Sequence, residues 1–138
     1  MGLSAARTLV GAGHRVALLG RSPDNLDRAL EELGEAATGT TGDAADPASA
    51  EALLARTLDA WGRLDGLYHV AGGSGRSKGD GPVDELTDGG IDYTLDINLK
   101  SLLYSNRTAV RQFRKQGGGG VLLNMGSVLG FSPAPEHF

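Results

Sequence analysis

Short segments typical of buried strands alternate along the chain with segments of helical periodicity, and no other feature of the sequence constrains the fold as much. The strand-like segments cover residues 16–19, 36–41, 64–71 and 121–124. A short continuous apolar run is typical of a strand covered on both faces, as in a parallel sheet. Strands that alternate with helices form βαβ units with right-handed crossovers. The sequence therefore predicts an α/β fold, a doubly wound parallel sheet with helices on both faces.

Capping residues mark where the helices begin and end. Ser22 before Pro23, and Asp46 before Pro47, are typical helix starts, because the side-chain oxygen accepts from a free amide and proline suits the first helical position. Helices are predicted from residue 3 to Gly11, from Pro23 to Gly34, from Pro47 to Gly62 and over residues 88–116. The last has an apolar side made of Ile91, Leu95, Leu99, Leu102, Val110 and Phe113. Residues 72–81 are predicted to form a flexible loop, and the chain from Gly130 onward another loop.

Length and composition exclude several classes of protein. The 138 residues are enough for one domain and too few for two, and 40% hydrophobic with 22% charged residues is ordinary for a globular protein. A net charge of -4 without a basic stripe argues against a nucleic-acid partner. The absence of cysteine excludes disulfides and thiolate metal sites, and no His, Asp and Glu cluster has metal-ligand spacing. Because there is no membrane-spanning run and no signal-peptide pattern, we expect a cytoplasmic protein without metal or membrane contact.

Candidate ligand-binding residues follow the predicted strands. In parallel α/β sheets, ligands bind beyond the carboxyl ends of the strands. Arg21 follows the strand 16–19 and can pair with the 2′-phosphate of NADP, whereas an acid there binds the ribose hydroxyl of NAD. Gly2 begins the first helix, whose free amides attract phosphate. The other candidates are Asp43 as an acceptor for an adenine amino group, the small residues Ala71, Gly72 and Gly73, and Ser127.

Each of these residues also has a simpler interpretation. Gly2 can simply be a small N-terminal residue, Arg21 can be a solvated turn residue, and Asp43 can be a turn former before Asp46. Residues 71–73 fit an ordinary loop. A ligand site is favoured because all of these residues fall at strand or helix ends on the same edge of the predicted sheet.

Six motifs occur in the order in which the short-chain dehydrogenase/reductase family carries them, and together they cover essentially the whole chain. Met1-Gly2 resembles the end of the family's Thr-Gly-x-x-x-Gly-x-Gly motif. The segment from His14 to Arg21 resembles the family's second strand. The segment Gly42-Asp43-Ala44-Ala45-Asp46 is similar to its Asp-Val-x-Asp adenine-binding segment. The segment from Leu64 to Gly72 resembles its Asn-Asn-Ala-Gly strand, Asp96-Ile97-Asn98-Leu99 its Val-Asn-Leu turn, and the segment from Leu122 to Gly130 the strand that delivers the catalytic serine.

The resemblance implies a Rossmann-like dinucleotide-binding domain over residues 1–138 and hydride transfer between a nicotinamide nucleotide and a carbonyl or alcohol carbon. In the family, a tyrosine with a neighbouring lysine is the general acid/base, a serine polarises the carbonyl, and an asparagine holds water for a proton relay. Carried over to the matching positions, the serine is Ser127 and the asparagine is Asn98. The implied cofactor-binding residues are Met1, Gly2, Arg21, Ser22, Asp43, Ala44, Val70, Ala71, Gly72 and Gly126.

NADP is the predicted cofactor, with NAD as the alternative. Gly20 occupies the place where NAD-preferring family members carry an acid, and Arg21 follows it as in many NADP-preferring members. The expected substrate is a small carbonyl or alcohol compound, such as a 3-oxoacyl thioester or another ketone. The resemblance also implies that the intact protein is a homodimer or homotetramer, formed partly through the long helix at 88–116.

Three departures from the family pattern leave other functions open. The Tyr-x-x-x-Lys pair has no match after Ser127, and Tyr68, Tyr93 and Tyr104 fit packing residues better. The family's first strand, which lies centrally between the second and the fourth, has no match either, and without it two strands would have unpaired edges. His69-Val70 replaces the Asn-Asn pair. A non-catalytic dinucleotide-binding protein and an inactive truncated fragment are therefore the alternatives to an enzyme.

Overall fold

The computed structural model describes residues 1–132, which form helices and short strands in alternation. The helices are α1 (Gly2–Gly11), α2 (Pro23–Leu33), α3 (Pro47–Trp61), α4 (Asp88–Leu95) and α5 (Ser101–Gln116). The strands are β1 (Val16–Gly20), β2 (Ala37–Thr41), β3 (Gly66–His69) and β4 (Val121–Asn124). The predicted order of helices and strands is confirmed. The predicted loop from Gly130 onward lies mostly outside the described residues.

Two predicted caps begin helices as expected. The Ser22 hydroxyl accepts a hydrogen bond from the Asn25 amide at 3.4 Å at the start of α2. An Asp46 carboxylate oxygen accepts from the Ala48 amide at 2.9 Å at the start of α3. These bonds satisfy amides that have no partner within the helix itself. They also fix where the connections after β1 and β2 end, at the edge where the candidate site lies.

The strands pair in parallel, in two separate sheets of two strands each. β1 pairs with β2 from Val16 opposite Ala37 to Gly20 opposite Thr41. β3 pairs with β4 over their four residues in the same way. Within residues 1–132, neither β1 nor β3 has a hydrogen-bonded neighbour on its other edge. The expectation of two strands with unpaired edges is therefore confirmed.

Helix packing holds these two sheets in one structure. α2 and α3 each pack against both β1 and β2, while α5 packs against β3. α3 also contacts α5, and this contact joins the two halves of the structure. A small apolar core lies where α1 and α2 meet β1, and its members are Ala6, Val16 and Leu33 with Leu3, Val10, Leu18 and Ala37 packed around them.

A π-helical turn, Asp96–Lys100, joins α4 to α5 without a break, so residues 88–116 are helical as predicted. In this wide turn the Ser101 amide bonds the carbonyl of Asp96, five residues back, whereas an α-helix uses the fourth. The extra residue rotates the face of α5 relative to that of α4. On the predicted apolar side, Ile91, Leu95 and Leu99 are 37%, 43% and 49% exposed, whereas Ile97 within the wide turn is buried.

β3 is shorter than the predicted strand over residues 64–71. The side-chain amide of Gln116 bonds both backbone groups of Leu64, accepting from its N–H at 3.1 Å and donating to its carbonyl at 2.5 Å. Leu64 is therefore held by α5 and not by a neighbouring strand. At the other end, residues 70–75 leave the sheet in irregular conformation.

The loop predicted at 72–81 is tied down by hydrogen bonds. The Asp80 carboxylate accepts from the Gly75 amide at 3.3 Å and from the Thr94 hydroxyl at 3.0 Å. Gly75 is buried, and a Cβ added to it would lie 2.0 Å from the Thr94 hydroxyl oxygen. The loop is thus folded closely onto α4.

In the part of the chain that the structure describes, no helix is both long enough and apolar enough to cross a membrane.

Candidate functional site

The ends of β1 and β2 bring Arg21 and Asp43 to neighbouring points of one edge. The Gly42 amide bonds the Gly20 carbonyl at 3.0 Å, which continues the pairing one residue beyond the strands. Arg21 is exposed directly after this bond, and Ser22 follows it at the start of α2. One Asp43 carboxylate oxygen accepts from the Ala45 amide at 2.9 Å, across Ala44. Asp43 is therefore a turn former, as its simpler interpretation predicted, and its second oxygen is left as a possible acceptor.

The ends of β3 and β4 form the second part of this edge. His69 lies opposite Asn124, and the Met125 amide bonds the His69 carbonyl at 2.9 Å. Two short segments leave the sheet side by side after this bond, made of Val70, Ala71 and Gly72 on one side and Met125, Gly126 and Ser127 on the other. The Ser127 hydroxyl oxygen accepts from the Leu129 amide at 3.2 Å and thereby begins a short 3-10 turn. Ser127 is exposed.

The N-terminus of α1 points toward the same edge. Only residues 12–15 connect α1 to β1, so the helix runs antiparallel to the strand and begins near the carboxyl end of β1. Met1 is the N-cap residue and its side chain makes no capping hydrogen bond, so the amides of the first turn have no side-chain partner. A Cβ at Gly2 would meet no atom within 4 Å. An anion could therefore approach these amides closely.

Asn98 lies in the π-helical turn and binds the loop that follows β3. Its side-chain oxygen accepts from the Gly73 amide at 2.9 Å, and its side-chain nitrogen donates to the Gly73 carbonyl at 2.9 Å and to the Thr94 carbonyl at 3.0 Å. A Cβ at Gly72 would lie 2.8 Å from the Asn98 oxygen, so this approach requires a glycine. The asparagine thus fastens the loop to the helix with both ends of its amide.

His69 is the residue at this site whose role the sequence did not reveal. It is 6% exposed, and its Nε2 lies 3.3 Å from the Ser101 hydroxyl while its Nδ1 lies 2.9 Å from the Ser105 hydroxyl. Burial lowers the pKa of His69, partly offset by a hydrogen-bonding contact with the backbone of Ala71. The available signal was the spacing of Ser101 and Ser105, four residues apart on one helix face.

The predicted site residues thus follow the carboxyl ends of strands in two separate sheets, Arg21 and Asp43 after β1 and β2, and residues 70–72 and 126–127 after β3 and β4. Two shallow hollows lie at the opposite edge, where the strands begin, one of about 450 Å³ beside Gly13, His14 and Trp61 and one of about 350 Å³ beside Trp61, Arg63 and Gln116. They contain none of the predicted site residues, and in parallel sheets ligands bind at the carboxyl edge. Among residues 1–132, no three His, Cys, Asp or Glu side chains are grouped so that they could hold a metal ion.

Fold and edge together define an α/β protein of the kind that binds ligands beyond the carboxyl ends of parallel strands. A family model described as short chain dehydrogenase matches residues 1–137. The chain therefore belongs to the short-chain dehydrogenase family.

Named relatives and solved structures agree with this assignment. A hydroxy-methyl-oxo-hexahydroindene-carboxyl-CoA reductase from Mycobacterium tuberculosis is 33% identical over 95% of this chain and 50% of its own length. A crystal structure of a short chain dehydrogenase from Mycobacterium smegmatis has a TM-score of 0.82 at 30% identity, over 94% of this chain and 53% of its own. A closed form of serine dehydrogenase complexed with NADP+ has a TM-score of 0.80 at 25% identity, over 96% and 52%. The chain spans about half the length of the curated relatives it matches.

Neutral His69 should make the stability of the protein depend on pH. Because its pKa is lowered in the folded protein, the unfolded chain takes up a proton at higher pH than the folded protein does. The stability that this residue contributes is fully present above the ordinary histidine value of 6.5 and is lost as the pH falls below it. The free energy of unfolding, measured with urea above and below this pH, should therefore fall less in His69→Leu than in the wild-type protein. The control His14→Gln, which replaces an exposed histidine, should show the same fall as the wild type. An equal fall in the wild type and His69→Leu would contradict a lowered pKa for His69.

Proposed function

We propose that the protein is an NADP(H)-dependent oxidoreductase that transfers a hydride between the nucleotide and a small carbonyl or alcohol substrate, such as a 3-oxoacyl thioester or another ketone. The observation that carries the proposal is that Arg21, Asp43 and the segments after β3 and β4 all follow the carboxyl ends of parallel strands, with Gly2 at the start of α1. Membership of the short-chain dehydrogenase family supports the reaction class. Because the chain spans about half the length of its relatives, the proposal concerns the activity of the whole protein.

The residues at this edge fit a dinucleotide in shape and charge. Side chains at Gly2 and Gly126 would meet no atom within 4 Å, so the backbone is open to a ligand at both points. The first-turn amides of α1, from Gly2 onward, would hold the pyrophosphate, with Met1 beside them at the N-cap. Arg21 and Ser22 would hold the 2′-phosphate of NADP. Position 20 is a glycine, so no carboxylate there would repel this phosphate. Asp43 and Ala44 would line the adenine, and the remaining contacts would come from Val70, Ala71, Gly72 and Gly126.

Ser127 is proposed to polarise the substrate. When bound, the nicotinamide nucleotide supplies or accepts the hydride. The Ser127 oxygen already accepts from the Leu129 amide, so its own hydrogen remains to be donated to a substrate carbonyl oxygen. A donor at that point stabilises the negative charge that develops on the oxygen during the reaction. Asn98 holds the loop after β3 in place beside it. No residue of this chain is assigned as the proton donor, because the Tyr-x-x-x-Lys pair has no match in the sequence.

We also propose that the intact protein is a homo-oligomer, formed through an apolar stripe on the α4–α5 segment. The stripe consists of Ile91, Leu95, Leu99 and Leu103, which are 37%, 43%, 49% and 53% exposed. Exposed acids flank its N-terminal end at Asp88 and Asp92, and exposed arginines flank its C-terminal end at Arg107 and Arg111. Two copies packed antiparallel along the stripe would place the acids of one copy beside the arginines of the other. The stripe is therefore self-complementary, as the surface of a twofold dimer has to be.

Oligomerisation through the stripe can be tested by sedimentation velocity. The wild-type protein should sediment as a dimer or a tetramer, and Leu99→Asp should shift it to the monomer, because a carboxylate would be buried without a partner. Leu9→Asp is the matched control, since Leu9 is 39% exposed on α1 and lies off the stripe. A monomeric wild-type protein, or equal dissociation in both variants, would rule the stripe out as the interface.

Replacement of the proposed polarising serine should affect turnover and not nucleotide binding. Ser127→Ala removes the donor to the substrate oxygen, so kcat should fall by roughly 100- to 1,000-fold. NADPH affinity, measured by its fluorescence, should stay unchanged. The control Ser132→Ala makes the same change at an exposed residue close by and should leave both values alone. Unchanged turnover in Ser127→Ala would remove this residue from the mechanism.

Arg21 should set the preference for NADP over NAD. We expect Arg21→Ala to weaken NADP+ binding by about tenfold or more, since it removes a charge-assisted hydrogen bond to the 2′-phosphate. NAD+ binding should stay the same, because NAD+ lacks this phosphate. Titration calorimetry with both nucleotides measures the two effects. Arg15→Ala is the control, an exposed arginine at the opposite end of β1. Tighter binding of NAD+ than NADP+ to the wild-type protein would overturn the assignment.

A further inference from the structure

Both serine hydroxyls that contact His69 also lie within hydrogen-bond distance of a backbone carbonyl, Ile97 for Ser101 and Leu102 for Ser105. The Ser101 hydroxyl donates to the Ile97 carbonyl at 2.7 Å, so its oxygen accepts from His69, whose Nε2 must carry the hydrogen. In this neutral form Nδ1 is an acceptor, and the single hydrogen of the Ser105 hydroxyl can point either to Nδ1 at 2.9 Å or to the Leu102 carbonyl at 3.0 Å. This tautomer follows from the hydrogen-bond network. With both nitrogens bonded and the ring buried, His69 cannot contact a ligand at the edge.

Ser101 is the residue that closes the wide turn of Asp96–Lys100. Its amide bonds the Asp96 carbonyl, so it is diverted from the Ile97 carbonyl, its partner in an ordinary α-helix. The Ser101 hydroxyl bonds that Ile97 carbonyl instead, and His69 in turn bonds the hydroxyl oxygen. Ser101 is 1% exposed, so none of these groups can turn to water for an alternative partner. The histidine is thus the outermost member of a chain of hydrogen bonds that stabilises the wide turn.

Asn98 occupies the middle of the same turn, one residue after Ile97. Its side chain reaches the Gly73 backbone because the turn presents it toward the loop after β3. The loop starts directly after His69, the last residue of β3, and Asn98 binds it from the helix. The loop is therefore fixed at two points, His69 to α5 and Gly73 to the wide turn.

We propose that His69 is a positioning residue: through Ser101 it holds the wide turn in the geometry that lets Asn98 bind Gly73, and so it sets the place of the loop beside Ser127. The hydrogen-bond part of this proposal stands on the contacts of His69, Ser101 and Asn98 alone. Its consequence for catalysis rests on the proposed oxidoreductase function.

Hydrogen exchange of the Gly73 amide, followed by NMR on the intact protein, tests the positioning role directly. His69→Leu removes both ring hydrogen bonds, and the Gly73 amide should then exchange about tenfold faster, as expected for the loss of one net hydrogen bond. The Gly42 amide, bonded to Gly20 in the other sheet, is the internal reference and should keep its rate. An unchanged Gly73 rate, or an equal rise at Gly42, would overturn the proposal, because the first shows no coupling and the second shows general destabilisation.

Two further variants keep the test decisive if His69→Leu folds poorly. Ser101→Ala leaves the imidazole in place and removes the hydroxyl between it and Ile97, so it should give the same local rise at Gly73. His69→Gln places an amide near the position of Nε2 and should restore most of the protection. An unchanged Gly73 exchange rate in Ser101→Ala would also overturn the proposal. So would a His69→Gln variant in which the Gly73 amide exchanges as fast as in His69→Leu.

Steady-state kinetics separate this inference from the proposed function. In His69→Leu we expect kcat to fall by about tenfold or more and the KM for NADPH to rise by less, because the misplaced loop loses its own contacts while those at Gly2, Arg21 and Asp43 are kept. His69→Gln should recover kcat. If the wild-type protein has no reductase activity but the exchange rate of the Gly73 amide still depends on His69, the oxidoreductase function is refuted and the positioning role is kept. Full activity with a fast-exchanging Gly73 would refute the catalytic consequence.

Discussion

Hydrogen bonds that continue the strand pairing past the strand ends hold the candidate site together. The Gly42 amide bonds the Gly20 carbonyl at 3.0 Å, and the Met125 amide bonds the His69 carbonyl at 2.9 Å. Each bond forces two irregular segments to leave the sheet at adjacent points and in the same direction. Parallel pairing thereby converts residues that are far apart in the sequence into neighbours on one edge. Every residue proposed to bind the nucleotide or the substrate, apart from Met1 and Gly2 at the start of α1, follows a strand that is paired in this way.

Buried polar contacts, together with apolar packing, fix the second half of the site. Along α5, the buried residues include Ser101, Thr108 and Gln112 as well as Ala109 and Phe113. Such groups are costly to bury without partners, but when satisfied they define one arrangement and disfavour others. Here they tie α5 to the start and the end of β3, through Gln116 to Leu64 and through Ser101 and Ser105 to His69. An apolar interface would hold the helix less specifically.

The sequence predicted the features that depend on local patterns. Ser22 and Asp46 begin helices as their caps indicated, and the strand ends carry Arg21 and Asp43 to one edge. It did not predict the wide turn at Asp96–Lys100, because helical periodicity assumes that every amide bonds the fourth carbonyl back. The burial of Ile97, between the exposed Leu95 and Leu99, was therefore not predicted. The role of His69 was equally hidden, since its partners lie more than thirty residues away and only the packing of α5 on β3 brings them together.

A nicotinamide nucleotide is proposed to bind at the carboxyl ends of the strands, and an NMR chemical-shift map of the protein titrated with NADP+ would locate the bound nucleotide. Binding there should give saturable shifts at the amides of Gly2, Arg21, Asp43, Ala71 and Gly126, with the opposite edge undisturbed. Shifts confined to the hollows beside Gly13, Trp61 and Gly117, or no saturable shift at any of these amides, would contradict it.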